Sequence, residues 1–197
     1  MALKLAWIVQ ALVAFHAYPS LGFQHVLPRN INQKPTRVLG GVTVIDTPLV
    51  RAAQAMACQY SEDYLFNHIM RTWLFGALVI SHNTTLQQTV DLEVHAIGSM
   101  LHDLGLVLNA SWVSHDRRFE VDSAFAATDF VEGQVVHAPE GSAWDAHRLQ
   151  LLFDSVLLSS EPKFSLYKEA TVASQPFGEA FVPGYSAVGS RIFDIFA

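Results

Sequence analysis

At 197 residues, 51% of them hydrophobic, the chain can bury the core of one domain and is short for two. A net charge of −6, with no run of lysine or arginine, excludes a nucleic-acid backbone as the natural partner. Cys58 is the only cysteine, which excludes a disulfide within one chain and leaves the redox compartment open.

Residues 1–22 begin with a basic Lys4, continue through an apolar stretch from Leu5 to Ala17 and reach small residues at Ser20-Leu21-Gly22. That order is the pattern of a secretory signal peptide. The apolar stretch falls well short of the roughly 20 residues that cross a bilayer as a helix, so no membrane span is expected. Two glycosylation candidates agree with secretion, Asn83 in Asn-Thr-Thr and Asn109 in Asn-Ala-Ser. The alternative is a cytoplasmic protein whose first helix packs on the domain.

Residues 23–46 carry Pro28, Pro35, paired glycines 40 and 41 and a β-branched run from Val42 to Ile45, which suits an extended lead-in. Thr47 and Pro48 supply an N-cap and a first-turn proline for a helix with Leu49, Ala53, Met56 and Tyr60 on one face. Ser61 then reads as the cap of the next helix, with Glu62 and Asp63 in its first turn and Leu65, Ile69 and Trp73 as its core stripe. His68 lies beside that stripe and points to the interior or its rim.

Thr84 and Thr85 offer overlapping capping boxes for the helix that follows. Val90, Val94, Ile97, Leu101 and Leu104 recur at alternating steps of four and three, the spacing of one buried face. Gly105 reads as a left-handed C-cap, which leaves His102 and Asp103 in the last turn with side chains diverging by about 100°. An imidazole nitrogen and a carboxylate oxygen suit Zn²⁺, Fe²⁺ or Mn²⁺, but two groups do not hold an ion alone. His68 and Asp154 are the candidates to complete the set. The plain alternative is a surface pair, or an aspartate that orients a hydrogen-bonded histidine. His95, seven residues before His102, shares its face and reads as packing.

Beyond a loop over 106–116, Arg117-Arg118-Phe119-Glu120-Val121-Asp122 leads into a helix with small contacts at Ala124, Ala127 and Val131. Its charges line either a polar pocket or a solvated salt-bridge face. A loop over 133–142 follows, then a helix started by Ser142 and Asp145 with Leu149, Leu152, Phe153 and Val156 inward. Asp154 sits between Leu151 and Leu158 on this apolar segment, an expensive place for a lone carboxylate, and a metal ligand explains it. Pro162 ends that helix, 166–174 form a short one, and Pro176, Pro183 and three glycines unravel the tail, with 186–197 irregular. The expected fold is therefore all-α, a bundle of about five to seven helices over residues 47–185 with an extended N-terminal lead-in.

Four stretches in this order resemble the HD-domain superfamily, and within it the fungal branch related to cyanamide hydratases. They are residues 61–72 around His68, Leu101-His102-Asp103-Leu104-Gly105, residues 117–122, and Arg148-Leu149-Gln150-Leu151-Leu152-Phe153-Asp154-Ser155. The resemblance implies an HD-domain helical bundle with His68, His102, Asp103 and Asp154 as metal ligands and His102 and Asp103 as the catalytic dyad. It implies a divalent ion, zinc first and iron or manganese next, and a small-molecule substrate. In the hydratase branch metal-activated water adds to the nitrile carbon of cyanamide and gives urea. Across the wider superfamily the electrophile is a phosphate ester, yet only Arg71, Arg117 and Arg118 are placed here to meet an anion. The chain departs from its fungal relatives at Ser123, where they carry glycine, at Ser159-Ser160, where they carry His-Thr, and in its short apolar ending. A non-catalytic HD-domain protein is the remaining alternative. With Cys58 in a structural helix and no serine at a nucleophile elbow, water is the expected nucleophile. Oligomeric state is not legible.

Overall fold

A computed structural model of the chain describes residues 34–135 and 144–181. The expected signal segment 1–22, the first part of the lead-in, most of the loop before Trp144 and the tail 186–197 lie outside the described residues. What is described is all-α apart from one hairpin.

The hairpin pairs β1 (Thr36–Leu39) with β2 (Val42–Ile45) antiparallel, Thr36 opposite Ile45 and Leu39 opposite Val42. Gly40 and Gly41 both take positive φ, 52° and 79°, as a two-residue primed turn demands. Val42, Val44 and Ile45 face the core. The lead-in over 34–46 is thus a hairpin that folds back on the domain.

Helix α1 (Pro48–Tyr60) starts as the sequence indicates, with Thr47 Oγ1 accepting from Val50 N at 3.2 Å. It buries Val50, Ala53 and Ala57, so its inner face is turned from the expected one. Tyr60 instead meets the Trp112 ring edge to face, centroids 4.9 Å apart. Ser61 closes α1 through its N–H to the Ala57 carbonyl, and Glu62 stands at the N-cap of α2 (Asp63–Ser81) without a side-chain cap bond.

The helix carrying the dyad is shorter than expected. Asn83 caps a brief α3 (Thr84–Thr89), the chain breaks at Val90, and Asp91 caps α4 (Leu92–Leu101) by accepting from Glu93 N and Val94 N at 3.1 and 3.2 Å. Every residue of α4 from Glu93 to Leu101 is buried, so it is a central helix and not an amphipathic one. Around it pack α1, α2, α5 (Phe119–Val135), α6 (Ala146–Leu157) and α9 (Gln175–Phe181). Two one-turn helices, α7 (Pro162–Ser165) and α8 (Ala170–Ala173), link α6 to α9. Pro176 does not unravel the chain there. It is the second residue of α9, where a missing N–H leaves no helical bond unmade.

Gly105 is likewise corrected. It lies in a 3-10 turn, Leu104–Leu106, without positive φ. Glycine is required because a Cβ would stand 2.1 Å from the Phe119 carbonyl oxygen at the start of α5. Among the described residues no helix is long and apolar enough to cross a membrane.

Candidate metal centre

His102 is the C-cap of α4 and Asp103 leads into the 3-10 turn, so the dyad stands where the most buried helix of the fold ends. His102 Nδ1 lies 2.8 Å from the Ser99 carbonyl oxygen. A carbonyl can only accept, so Nδ1 carries the proton and donates. Nε2 is then the coordinating nitrogen, and it lies 3.3 Å from Asp103 Oδ2. From α2, His68 brings its Nε2 to 3.2 Å from the same oxygen. The three side chains offer ligand atoms within 4.8 Å of one another, a group that can hold a metal ion.

The spacing passes a simple test. Ligand atoms 2.0–2.1 Å from a tetrahedral ion stand about 3.3 Å apart, and the two measured N···O separations are 3.2 and 3.3 Å. A lone pair on His102 Nε2 facing a carboxylate oxygen at that distance is repulsive unless a cation lies between them or a proton resides on the nitrogen. Burial pushes the Asp103 carboxyl up, but the neighbouring charge of His102 and the hydrogen bond from His68 outweigh it and hold the group below its usual range. Exposure is one-sided: the side chains of His102 and Asp103 are 3% and 8% exposed and that of His68 27%, so the group opens to solvent at His68.

Asp154 is not brought to this group. It lies on α6 beside the buried face formed by Arg148, Leu151, Leu152, Ser155 and Val156, and it accepts from Lys168 Nζ and Gln150 Nε2, each at 2.8 Å. The carboxylate that is costly on an apolar segment is met by a lysine 14 residues on.

The charged stretch at 117–122 forms salt bridges whose arginines are exposed and whose carboxylates are not. Its carboxylates are buried, Glu120 at 3% and Asp122 at 1% exposure, and each takes an arginine: Arg118 bonds Glu120, and Arg117 Nε lies 3.0 Å from Asp122 Oδ1. Asp122 also accepts from Ser114 N and Oγ at 2.7 and 2.9 Å, which pins the preceding loop to α5. Ser123 and Ser160 have structural tasks. Ser123 Oγ accepts from Gly105 N at 2.7 Å and steadies the turn that follows Asp103, while Ser160 Oγ donates to Glu120 at 2.6 Å. Cys58 is exposed on α1. Asn109 is exposed in the loop with φ 65°, and Asn83 spends its side-chain oxygen capping α3.

His95 is buried as expected, one face against Gly76 of α2. Burial lowers its imidazole to about 4. The unfolded chain therefore binds a proton between about pH 6.5 and 4 that the folded chain does not, and stability falls as pH falls through that window. At about 1.4 kcal/mol per unit the full loss is about 3 kcal/mol. Urea midpoints measured from pH 7 to 4.5 should decline more steeply for the natural protein than for His95→Asn; equal slopes would remove His95 from the account.

Fold and site together define an all-α protein with a two-histidine, one-carboxylate cluster at the end of its central helix. No protein-family model, curated protein or solved structure matches the chain.

Proposed function

We propose that the protein is a metal-dependent enzyme in which His68, His102 and Asp103 hold one divalent ion and water adds to a small neutral electrophile, a nitrile such as cyanamide giving urea. One observation carries the reading: the Ser99 carbonyl fixes the His102 tautomer and turns its coordinating nitrogen toward the atoms of Asp103 and His68. Anchoring the far ring nitrogen in this way is how metal-binding histidines are oriented. Two imidazoles and one carboxylate suit zinc first, with iron or manganese next. Such an ion, when bound, lowers the pKa of water toward neutrality and polarises an electrophile. Three protein ligands would leave a position open, and the exposure of His68 supports access to it from solvent. A neutral substrate is favoured over a phosphate ester because Arg117 and Arg118 are engaged with the buried carboxylates of Asp122 and Glu120.

A second reading, an HD-type protein that binds metal without turnover, is favoured by the engagement of Asp154 with Lys168 and Gln150. Metal analysis of the purified full chain, with a cyanamide-to-urea assay beside a panel of phosphate esters, separates the readings. The expected result is stoichiometric divalent metal and urea formation that Cys58→Ser leaves nearly intact. Metal without either activity selects the second reading, turnover of phosphate esters alone selects a phosphohydrolase, and a metal-free protein that cannot be loaded overturns the centre itself.

A further inference from the structure

Behind His102 lies a second polar cluster that the candidate centre does not use. Ser174 Oγ donates to the Thr171 carbonyl at 2.9 Å, which commits its single proton. In the 3.3 Å contact between Ser174 Oγ and His95 Nδ1 the imidazole must therefore donate. Nδ1 carries the proton, and His95 Nε2 is left a bare acceptor with no partner among the described residues. Gln175 is in the same position: its Nε2 donates to Ser99 Oγ at 2.9 Å and its Oε1 has no partner there. The hydroxyls of Thr72 and Ser155 have none either. Thr72, Ser155 and Gln175 are wholly buried and His95 is 1% exposed.

These atoms lie on α2, α6, the start of α9 and α4, the helix on which the other three pack, and that junction forms a polar seam. A Cβ on Gly76 would stand 2.5 Å from His95 Nε2, and Thr72 is one turn from Gly76 on α2. A Cβ on Gly98 would stand 3.2 Å from Gln175 Oε1 and 3.5 Å from Ser155 Cβ, and Gly98 is one turn from His95 on α4. Whatever meets these atoms must donate to the two acceptors that hold no proton and accept from the two hydroxyls. It must also be neutral, because burial here drives the imidazole away from its charged form. Orphan polar atoms so deep in a fold are costly, and the smallest neutral molecule with two donors and two acceptors is water.

We infer that this seam is a built hydration site, in which internal water donates to His95 Nε2 and Gln175 Oε1 and accepts from Thr72 and Ser155. The seam reaches the candidate centre through Ser99, whose hydroxyl is held by Gln175 and whose carbonyl is held by His102. It stands whether or not His68, His102 and Asp103 take a metal.

Thr72→Val and Ser155→Ala give a test by sign, since each removes a hydroxyl with little change of shape. A hydroxyl bonded to water is lost at a cost, and each variant should melt about 2–4 °C below the natural protein. In a dry seam the same changes remove an unsatisfied group, and an unchanged or raised Tm for either variant overturns the inference. A high-resolution crystal structure of the full chain decides independently. Water within hydrogen-bonding distance of both His95 Nε2 and Gln175 Oε1 is the expected result; an empty seam, or either atom bonded directly to protein, overturns it whatever the melting temperatures.

Discussion

Arg148→Ala should lower the stability of the fold by about 3–5 kcal/mol, the scale on which a buried ion pair fails when one partner is removed. Arg148 reaches from α6 to the N-terminus of α4, where Nε and Nη2 meet the two oxygens of Asp91 at 2.7 and 3.0 Å and Nη2 meets Glu93 at 2.8 Å. Its guanidinium also covers the Trp144 ring, 4.2 Å from the centroid. Both carboxylates are buried, so among the described residues alanine would leave Asp91 without its ionic partner and Glu93 with Lys34 and Thr47. Asp91 is the cap of α4, and its displacement would loosen the end of the helix opposite the candidate centre. Lysine at 148 restores the charge without the planar fork and should recover only part of the loss. Urea unfolding of the three proteins measures this, and an alanine variant as stable as the natural chain would show that the network is ornamental.

Asp103→Ala should reduce affinity for zinc by more than the ~10–100-fold that loss of a group merely orienting a ligand entails, and urea formation should vanish with it. Asp103 contributes the oxygen shared by both imidazoles, at 3.2 and 3.3 Å, and the only negative charge of the three. Without it the two histidines would have to gather a divalent cation unaided. Asp103→Asn keeps the shape and removes the charge, so it separates coordination from packing. Calorimetric titration of metal-stripped protein, with folding checked by circular dichroism, reads the effect. An Asp103→Ala protein that binds zinc and turns over normally would end the proposal.

The all-α class and the dyad at a helix end were legible because both are local properties, helical spacing of apolar residues and its stop; the meeting of His68 with that dyad joins two helices and was expected from the resemblance. Several of the errors have a partner distant in sequence. Thr84 and Thr85 carry a good capping pattern, yet the dyad helix begins at Asp91, which is held by Arg148 57 residues away. Gly105 looks like a left-handed cap by position, whereas its reason is the backbone of Phe119 pressing on it. Asp154 has the signature of a carboxylate needing a cation, and the cation it found is Lys168. Ser123, read as a departure, is the acceptor that holds Gly105 N. Spacing along one helix announces that a polar group needs company; only the packed chain decides whose.

The burial of α4 from Glu93 to Leu101 has an evolutionary consequence. A helix with no side facing water has no position where sequence can drift freely, because any change between Glu93 and Leu101 alters either packing or a buried polar contact. Variation compatible with this fold is thereby crowded onto the exposed positions of the other helices and onto the loop bearing Leu108 and Asn109. In diverging copies of the chain, the segment that ends in His102 and Asp103 would be the slowest to change even if the centre at its end fell out of use.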